Sequence, residues 1–168
     1  EKYKGKYVLY NDKNEELSKS VKKIEIQDLL ERKPIQLNLK LISDNIKGKI
    51  VFVSGAAGSI GSEIVRQVIS FCPKKIIILD SAETPLNSLF LEICETNINN
   101  EVVVTRIADI KDLDVLENIF LENIPDVVFH AAAYKHVPMM ENNPCQAIFT
   151  NVMGTKNLAD LSIKYNVG

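Results

Sequence analysis

Three glycines, Gly55, Gly58 and Gly61, are spaced G-x-x-G-x-x-G between a short apolar run, Val51-Phe52-Val53, and a segment carrying Ile60, Ile64, Val65, Val68 and Ile69 at helical spacing. The order reads as a buried strand, a tight turn and a helix. Residues without side chains let the backbone come close to a ligand. A helix start adds unpaired N–H donors and roughly half a positive charge. The chemistry that suits this stretch is the holding of a diphosphate.

A carboxylate stands at the distance that completes such a site. Asp80 lies 19 residues beyond Gly61 and closes a second apolar run, Ile76-Ile77-Ile78-Leu79. There it accepts hydrogen bonds from the adenosine ribose hydroxyls of NAD and repels the extra phosphate of NADP, for which no arginine stands beside it. The bland alternative is a tight turn with a helix-capping aspartate. A nucleoside-triphosphate P-loop is excluded, because no Gly-Lys-Ser/Thr follows the turn.

Further candidates follow two later strands. Asp109 suits either an acceptor for an adenine amino group, with Ile110 over the ring, or a helix-start acid. Ala131, Ala132 and Ala133 either let a flat cofactor lie against the backbone or pack closely for their own sake. Lys135 suits a substrate phosphate as a point charge, or plain solvation, and His136 stands beside it. His130, inside an apolar strand, reads as a satisfied core histidine, and Asn151 as a polar contact from the last helix to a neighbouring loop. No metal-ligand spacing, no Ser/His/Asp or Cys/His nucleophile and no Tyr-x-x-x-Lys occurs.

The elements that must position these residues alternate. Strands are expected at 50–54, 75–79, 102–107 and 127–130. Helices are expected at 59–71, stopped by Pro73, at 83–95, after an Asp112 cap with Leu113, Leu116, Ile119 and Phe120 inward, and from Pro144 to Tyr165. The last carries Ala147, Ile148, Val152, Leu158, Ala159 and Ile163 on one stripe. Alternation of this kind predicts an α/β fold, a doubly wound parallel sheet of Rossmann-like order 3-2-1-4, with ligands at the carboxyl ends of its strands. Residues 1–48 read as an approach segment to a nucleotide-binding domain at 49–168. A strand is expected at Tyr7–Tyr10, a turn at 11–14, a solvated run after it and a short helix at 24–30.

Composition bounds the class. The chain has 168 residues, 46% hydrophobic and 25% charged, with net charge −2, which points to no nucleic-acid partner. Residues 1–48 hold eleven basic and eight acidic residues, against nine and fourteen in 49–168. Cys72, Cys94 and Cys145 lack C-x-x-C spacing and fit a reducing, cytoplasmic setting. No apolar run approaches the ~18 residues of a membrane span. The chain begins at Glu1 rather than Met and reads as a piece of something longer.

Four segments together resemble the extended short-chain dehydrogenase/reductase superfamily: SGAAGSIGSE (54–63), LDSAE (79–83), PDVVFHAAAYKHVPMME (125–141) and NVMGTKNLA (151–159). Within it they are similar to the polysaccharide-biosynthesis branch, the nucleotide-sugar 4,6-dehydratases acting on UDP-N-acetylglucosamine, with HAAAYKHVP the most specific match. The resemblance implies NAD as a recycled cofactor and a UDP-sugar as substrate. It implies Gly55, Gly58, Ser59, Ile60 and Gly61 at the diphosphate, Asp80 at the ribose, Asp109 and Ile110 at adenine, and Ala131 to Ala133 at the nicotinamide side. Ser54 stands where the family usually has Thr, and Ala82 with Thr84-Pro85 departs from the usual ribose side. The family's acid/base residues lie on the next strand and helix, beyond Gly168, so the sheet is expected to be truncated before its fifth strand and no catalytic residue is expected in this chain. ERKPIQLN (31–38) looks like the lead-in of large members anchored to the cytoplasmic face of a membrane by upstream helices, and a homo-oligomer is expected. A nucleotide-sugar epimerase, a 4-keto reductase and a non-catalytic NAD-binding module are the alternatives.

Overall fold

The computed structural model describes residues 9–10, 16–17, 38–95 and 100–168. Contacts divide the chain into two units, Glu1–Leu37 and Asn38–Gly168. In the first, β1 (Leu9–Tyr10) pairs antiparallel with β2 (Glu16–Leu17), Leu9 opposite Leu17. The strand expected at Tyr7–Tyr10 is thus seen at its last two residues, and its partner falls in the run read as solvated. The turn at 11–14 and the helix at 24–30 lie outside the described residues.

The second unit opens with α1 (Leu39–Ile46), capped by Asn38, whose side chain accepts from the Leu41 N–H. The alternation then runs β3 (Ile50–Ser54), α2 (Ser59–Ser70), β4 (Lys75–Asp80), α3 (Glu83–Glu95), β5 (Val103–Ile107), α4 (Leu113–Asn123) and β6 (Val127–His130). A short 3₁₀ turn over Asn100–Val102 leads into β5, so that strand starts one residue later than its apolar run. After β6 come α5 (Val137–Asn142), α6 (Pro144–Ala147), a π-helical stretch over Ile148–Gly154 and α7 (Thr155–Lys164).

The sheet has the order β5-β4-β3-β6 with every pair parallel, which is the expected 3-2-1-4. Val51 lies between Ile76 and Val127, and Phe52 between Ile77 and Val128. Successive side chains of a strand point to opposite faces. On one face Val51, Val53, Ile76 and Ile78 therefore meet Val65 and Val68 of α2, Leu86 and Leu89 of α3, and Ile46 of α1. On the other Phe52, Ile77 and Leu79 meet Leu116 and Phe120 of α4 and Leu158 and Leu161 of α7. Each such side chain contributes about 1.5–3 kcal/mol of burial. Asp126 starts the β6 pairing: its carboxylate accepts from Ile50 N–H at 2.7 Å while its own N–H donates to Ile50 O at 2.8 Å. The Phe52, Phe120 and Tyr165 rings pack tilted against one another in series, and the Tyr165 hydroxyl donates to Glu117, tying the end of α7 to α4.

Three expected packing faces differ. Leu113 is 43% exposed, because Asp112 caps the helix and holds its first turn at the surface. Ile60 is 64% exposed at the start of α2. The helix expected from Pro144 to Tyr165 is interrupted by the π-helical stretch, and its buried face is not the expected one. Thr150, Gly154, Leu158 and Leu161 turn inward, while Ile148, Val152 and Ile163 lie exposed. Of the expected stripe, only Leu158 is buried.

Two glycines distinguish rigid from yielding neighbours. A Cβ on Gly61 would sit 2.0 Å from Gly55 O, a backbone atom; one on Gly154 would meet Ile110 Cδ1, a side-chain tip, at 2.5 Å. Gly61→Ala is therefore expected to cost about 3 kcal/mol and Gly154→Ala about 1 kcal/mol in urea unfolding. Equal costs would show that the turn beneath Gly61 yields as easily as a side chain.

Candidate functional site

β3 ends at Ser54 and passes directly into the glycine turn. Gly55 takes φ +67°, and a Cβ there would lie 2.4 Å from Ala132 N and 2.6 Å from the Ala131 carbonyl carbon. Only glycine combines that backbone angle with that approach. Gly61 packs on the Gly55 carbonyl from the helix side. Gly58 differs from both: an added Cβ would meet only Gly55 O, at 3.3 Å, and otherwise enter open space. So Gly55 and Gly61 build the turn, and Gly58 leaves room over it. Gly58 is also the N-cap of α2 and makes no side-chain cap, so among the described residues no capping side chain meets the helix-start N–H groups of Ser59, Ile60 and Gly61.

Asp80, at the end of β4, organises this turn. One carboxylate oxygen accepts from Ala57 N–H and the other from Ala82 N–H, both at 2.9 Å. Ala56 N–H adds a bond to Leu79 O at 3.1 Å. The acid is thus held between the glycine turn and the start of the next loop, with lone pairs remaining on both oxygens.

A cleft opens at the carboxyl ends of the strands, where β3 meets β6 and the connections part to opposite faces. Its volume is about 160 Å³, and Gly55, Gly58, Asp80, Asp109, Ile110, Ala131, Ala132, Ala133, Tyr134 and Thr150 line it. The structure therefore brings together both glycines, the acid, the Asp109–Ile110 pair and the three alanines singled out from the sequence. Ser59 and Ile60 are exposed at the helix start and do not line the cleft, while Gly61 is buried beneath the Gly55 carbonyl. Asp109 shapes its own loop: one oxygen accepts from Lys111 N–H at 2.9 Å, and the other pairs with the Lys111 ammonium at 3.1 Å. The helix-start role belongs instead to Asp112, which accepts from Val115 N–H. Lys135 and His136 lie outside the cleft, in a groove shared with Met139, Met140 and Asn143.

Two residues have places that the sequence did not show. His130 is not in the core: it sits exposed at the tip of β6, with Ser54 Oγ at 2.7 Å from Nδ1 and Thr155 Oγ1 at 2.9 Å from Nε2. It is satisfied, as expected, but at the sheet's rim. Thr150, unremarked in the sequence, is 8% exposed and lines the cleft. Among the described residues its Oγ1 is the buried side-chain polar atom that lacks a partner. Thr150 shares one helical face with Gly154, Leu158 and Leu161, at ordinary helical spacing, but a threonine and a glycine add no apolar signal to that face. Asn151 bonds the neighbouring loop as expected, accepting from Tyr134 N–H at 2.8 Å and donating to Tyr134 O at 2.9 Å. Among the described residues no group of histidine, cysteine and acidic side chains has the arrangement to hold a metal, and no helix is long and apolar enough to cross a membrane.

The fold and cleft define a Rossmann-like α/β domain with a glycine turn at its switch point. The chain belongs to the polysaccharide biosynthesis protein family, whose sequence profile matches residues 51–168. It is 46% identical over 140 residues to the polysaccharide biosynthesis protein EpsC of Bacillus subtilis, and 45% identical over 141 residues to the capsular polysaccharide biosynthesis protein CapD of Staphylococcus aureus. Those matches cover 83% and 84% of this chain but 23% and 24% of the relatives, so it spans about a quarter of their length. It is 34% identical to a dTDP-glucose 4,6-dehydratase of Haemophilus influenzae (68% of this chain, 33% of the relative) and 32% identical to the inverting UDP-N-acetylglucosamine 4,6-dehydratase of Campylobacter jejuni (71% and 34%). Among solved structures, Pen from Bacillus thuringiensis matches with TM-score 0.65 and 33% identity, covering 73% of this chain and 36% of that one. The UDP-glucose 4-epimerase of Thermus thermophilus, in complex with NAD, matches with TM-score 0.59 and 27% identity, covering 70% and 35%.

A buried hydroxyl without a partner costs about 1–3 kcal/mol. Valine has the shape of threonine without that oxygen. Thr150→Val is therefore expected to raise the stability of the free chain by about 1 kcal/mol, read from urea unfolding. A loss of stability would show that the hydroxyl has a structural partner.

Proposed function

We propose that this chain is the NAD-binding part of a nucleotide-sugar 4,6-dehydratase of the UDP-N-acetylglucosamine class, serving the synthesis of a capsule, O-antigen or other glycan. Residues 49–168 are its cofactor domain and 1–48 the segment leading into it. The observation that carries the reading is the glycine turn held by Asp80 at the mouth of the cleft. The space left open at Gly58 fits a diphosphate, which the N–H groups of Ser59, Ile60 and Gly61 receive from the helix side. Asp80 takes the adenosine ribose through its remaining lone pairs, Asp109 and the buried Ile110 take adenine, and Ala131 to Ala133 back the nicotinamide side. Thr150 supplies a hydroxyl to the same ligand from the opposite wall.

When bound, NAD supplies a hydride acceptor and then a donor, so a sugar is oxidised at C4, loses water across C5–C6 and is reduced at C6 with no net use of cofactor. This chain's residues bind and orient; acid–base chemistry on the sugar belongs to the longer protein. Lys135, at the rim outside the cleft, meets the substrate's phosphates. Family membership supports the biosynthetic role, and both dehydratases and an NAD-bound epimerase stand among the similar proteins. Overall identity does not choose between the dTDP-glucose and UDP-N-acetylglucosamine classes; HAAAYKHVP is what favours the latter. The likeness to a UDP-glucose 4-epimerase keeps epimerisation as the second reading. Incubating the full-length protein with UDP-N-acetylglucosamine separates the two, since a dehydratase yields a 4-keto-6-deoxy sugar and an epimerase an isomer of unchanged mass.

For this chain, calorimetric titration is expected to show NAD bound at least tenfold more tightly than NADP. Asp80→Ala is expected to weaken NAD by about 1.5–3 kcal/mol, the range for a hydrogen bond to a charged group, or ten- to a hundredfold. Thr150→Val is expected to weaken NAD severalfold while stabilising the free chain. Equal affinity of the wild type for NAD and NADP would remove the assigned role of Asp80.

A further inference from the structure

A chain of hydrogen bonds runs behind the cleft from the sheet to its far wall. Ser54, fully buried at the end of β3, meets His130 Nδ1 at 2.7 Å. His130 Nε2 meets Thr155 Oγ1 at 2.9 Å, and the Thr155 hydroxyl donates to Asn151 O at 2.7 Å. The Asn151 amide then clamps both backbone groups of Tyr134. The proton positions follow from counting donors. Thr155 has one hydroxyl proton, committed to Asn151 O, so it accepts from Nε2–H. Nδ1 of the neutral ring is then an acceptor, and the Ser54 hydroxyl donates to it. A second proton on the ring, at Nδ1, would reverse this bond and leave a fully buried Ser54 hydroxyl proton with no acceptor.

Four of the five members line the cleft or adjoin a residue that does. Ser54 precedes Gly55, His130 precedes Ala131, Asn151 follows Thr150, and Tyr134 is itself a lining residue. Thr155 follows Gly154, which packs on the lining residue Ile110. We propose that His130, as the neutral Nε2–H imidazole, is a positioning residue that locks the loop Ala131–Tyr134 and the inward turn at Thr150 into the geometry that receives the cofactor. The effect on cofactor rests on the NAD-binding reading above; the locking itself does not.

The titratable groups on the elements packed against β6 are Lys40 and Asp44 in α1, Glu63 and Arg66 in α2, Asp114, Glu117 and Glu122 in α4, Lys156, Asp160 and Lys164 in α7, and Tyr134, Lys135 and His136 in the following loop; β3 carries none. Glu63 pairs with Arg66, Lys156 with Asp160, and Lys164 with Glu117. Partial desolvation of the ring at the sheet's rim holds its pKa below the ordinary 6.5. A depressed value in the folded state means that the stabilisation is fully present above pH 6.5 and is lost as pH falls through the folded-state value. Cofactor affinity is therefore expected to weaken over the same interval.

The test combines three variants with readouts on the free and the loaded chain. Imidazole ¹⁵N shifts are expected to show the Nε2–H form, and the Tyr134 amide to exchange slowly. His130→Ala is expected to speed that exchange about tenfold and weaken NAD about fivefold. His130→Gln, which retains a donor for Thr155, is expected to recover most of both and to lose the dependence of NAD affinity on pH below 6.5. His130→Asn, which retains only the acceptor for Ser54, is expected to recover neither. A ring protonated on Nδ1, unchanged Tyr134 exchange in a folded His130→Ala, or equal behaviour of the Gln and Asn variants would overturn the proposal. Should His130→Ala fail to fold, the Gln–Asn contrast decides. Failure of the wild type to bind NAD would defeat the functional reading, while Tyr134 exchange would still decide this one.

Discussion

Main chain lies directly on main chain at the mouth of the sheet. The backbone of Gly55 approaches Ala131 and Ala132 so closely that no Cβ fits between them, and Gly61 closes on the Gly55 carbonyl from the other side. This double contact holds the end of β3, the start of α2 and the loop after β6 as one unit. It depends on a parallel register that brings Ser54 level with both Leu79 and His130. The buried apolar runs of β3 and β4 hold that register, because a slip of one residue would turn every inward side chain to the wrong face.

From that contact the rest of the site follows. The turn cannot collapse into the cleft, since Asp80 holds Ala57 from β4 and Gly58 places nothing over it. The carboxylate is fixed by two backbone donors before any ligand arrives, so binding does not have to order it. Across the cleft, Thr150 lies buried in the π-helical stretch, and its hydroxyl has no partner among the described residues. A buried orphan of this kind lowers stability, and it is understandable where a ligand completes it. The chain through His130 connects the two sides, so the wall that receives the ligand and the turn that opposes it are positioned by one network.

Most of the fold was legible because local signals agreed. Apolar runs bounded by glycine and proline located β3 and β6 to the residue, and Asp112 marked the start of α4 by the capping bond it makes. The glycine turn, Asp80, Asp109–Ile110 and the alanine run were legible as cleft residues because a parallel sheet gathers the carboxyl ends of its strands in one place. What was not legible was which face of the last helix turns inward. The apolar residues of 144–165 mark one stripe, but the buried face runs through Thr150, Gly154, Leu158 and Leu161, and Ile148 and Val152 lie exposed. His130 was misplaced for a related reason: its strand is apolar, but the last residue of an edge strand stands at the rim.

The central claim is that a dinucleotide lies across this cleft with its diphosphate at the glycine turn. The most direct measurement is amide chemical-shift mapping of the labelled chain during titration with NAD. The account predicts saturable shifts at Gly58, Ser59 and Ile60, at Ser81 beside Asp80, and at Ile110, Ala132 and Thr150. Shifts confined to the groove of Lys135 and Met139, or none at the glycine turn at saturation, would contradict it.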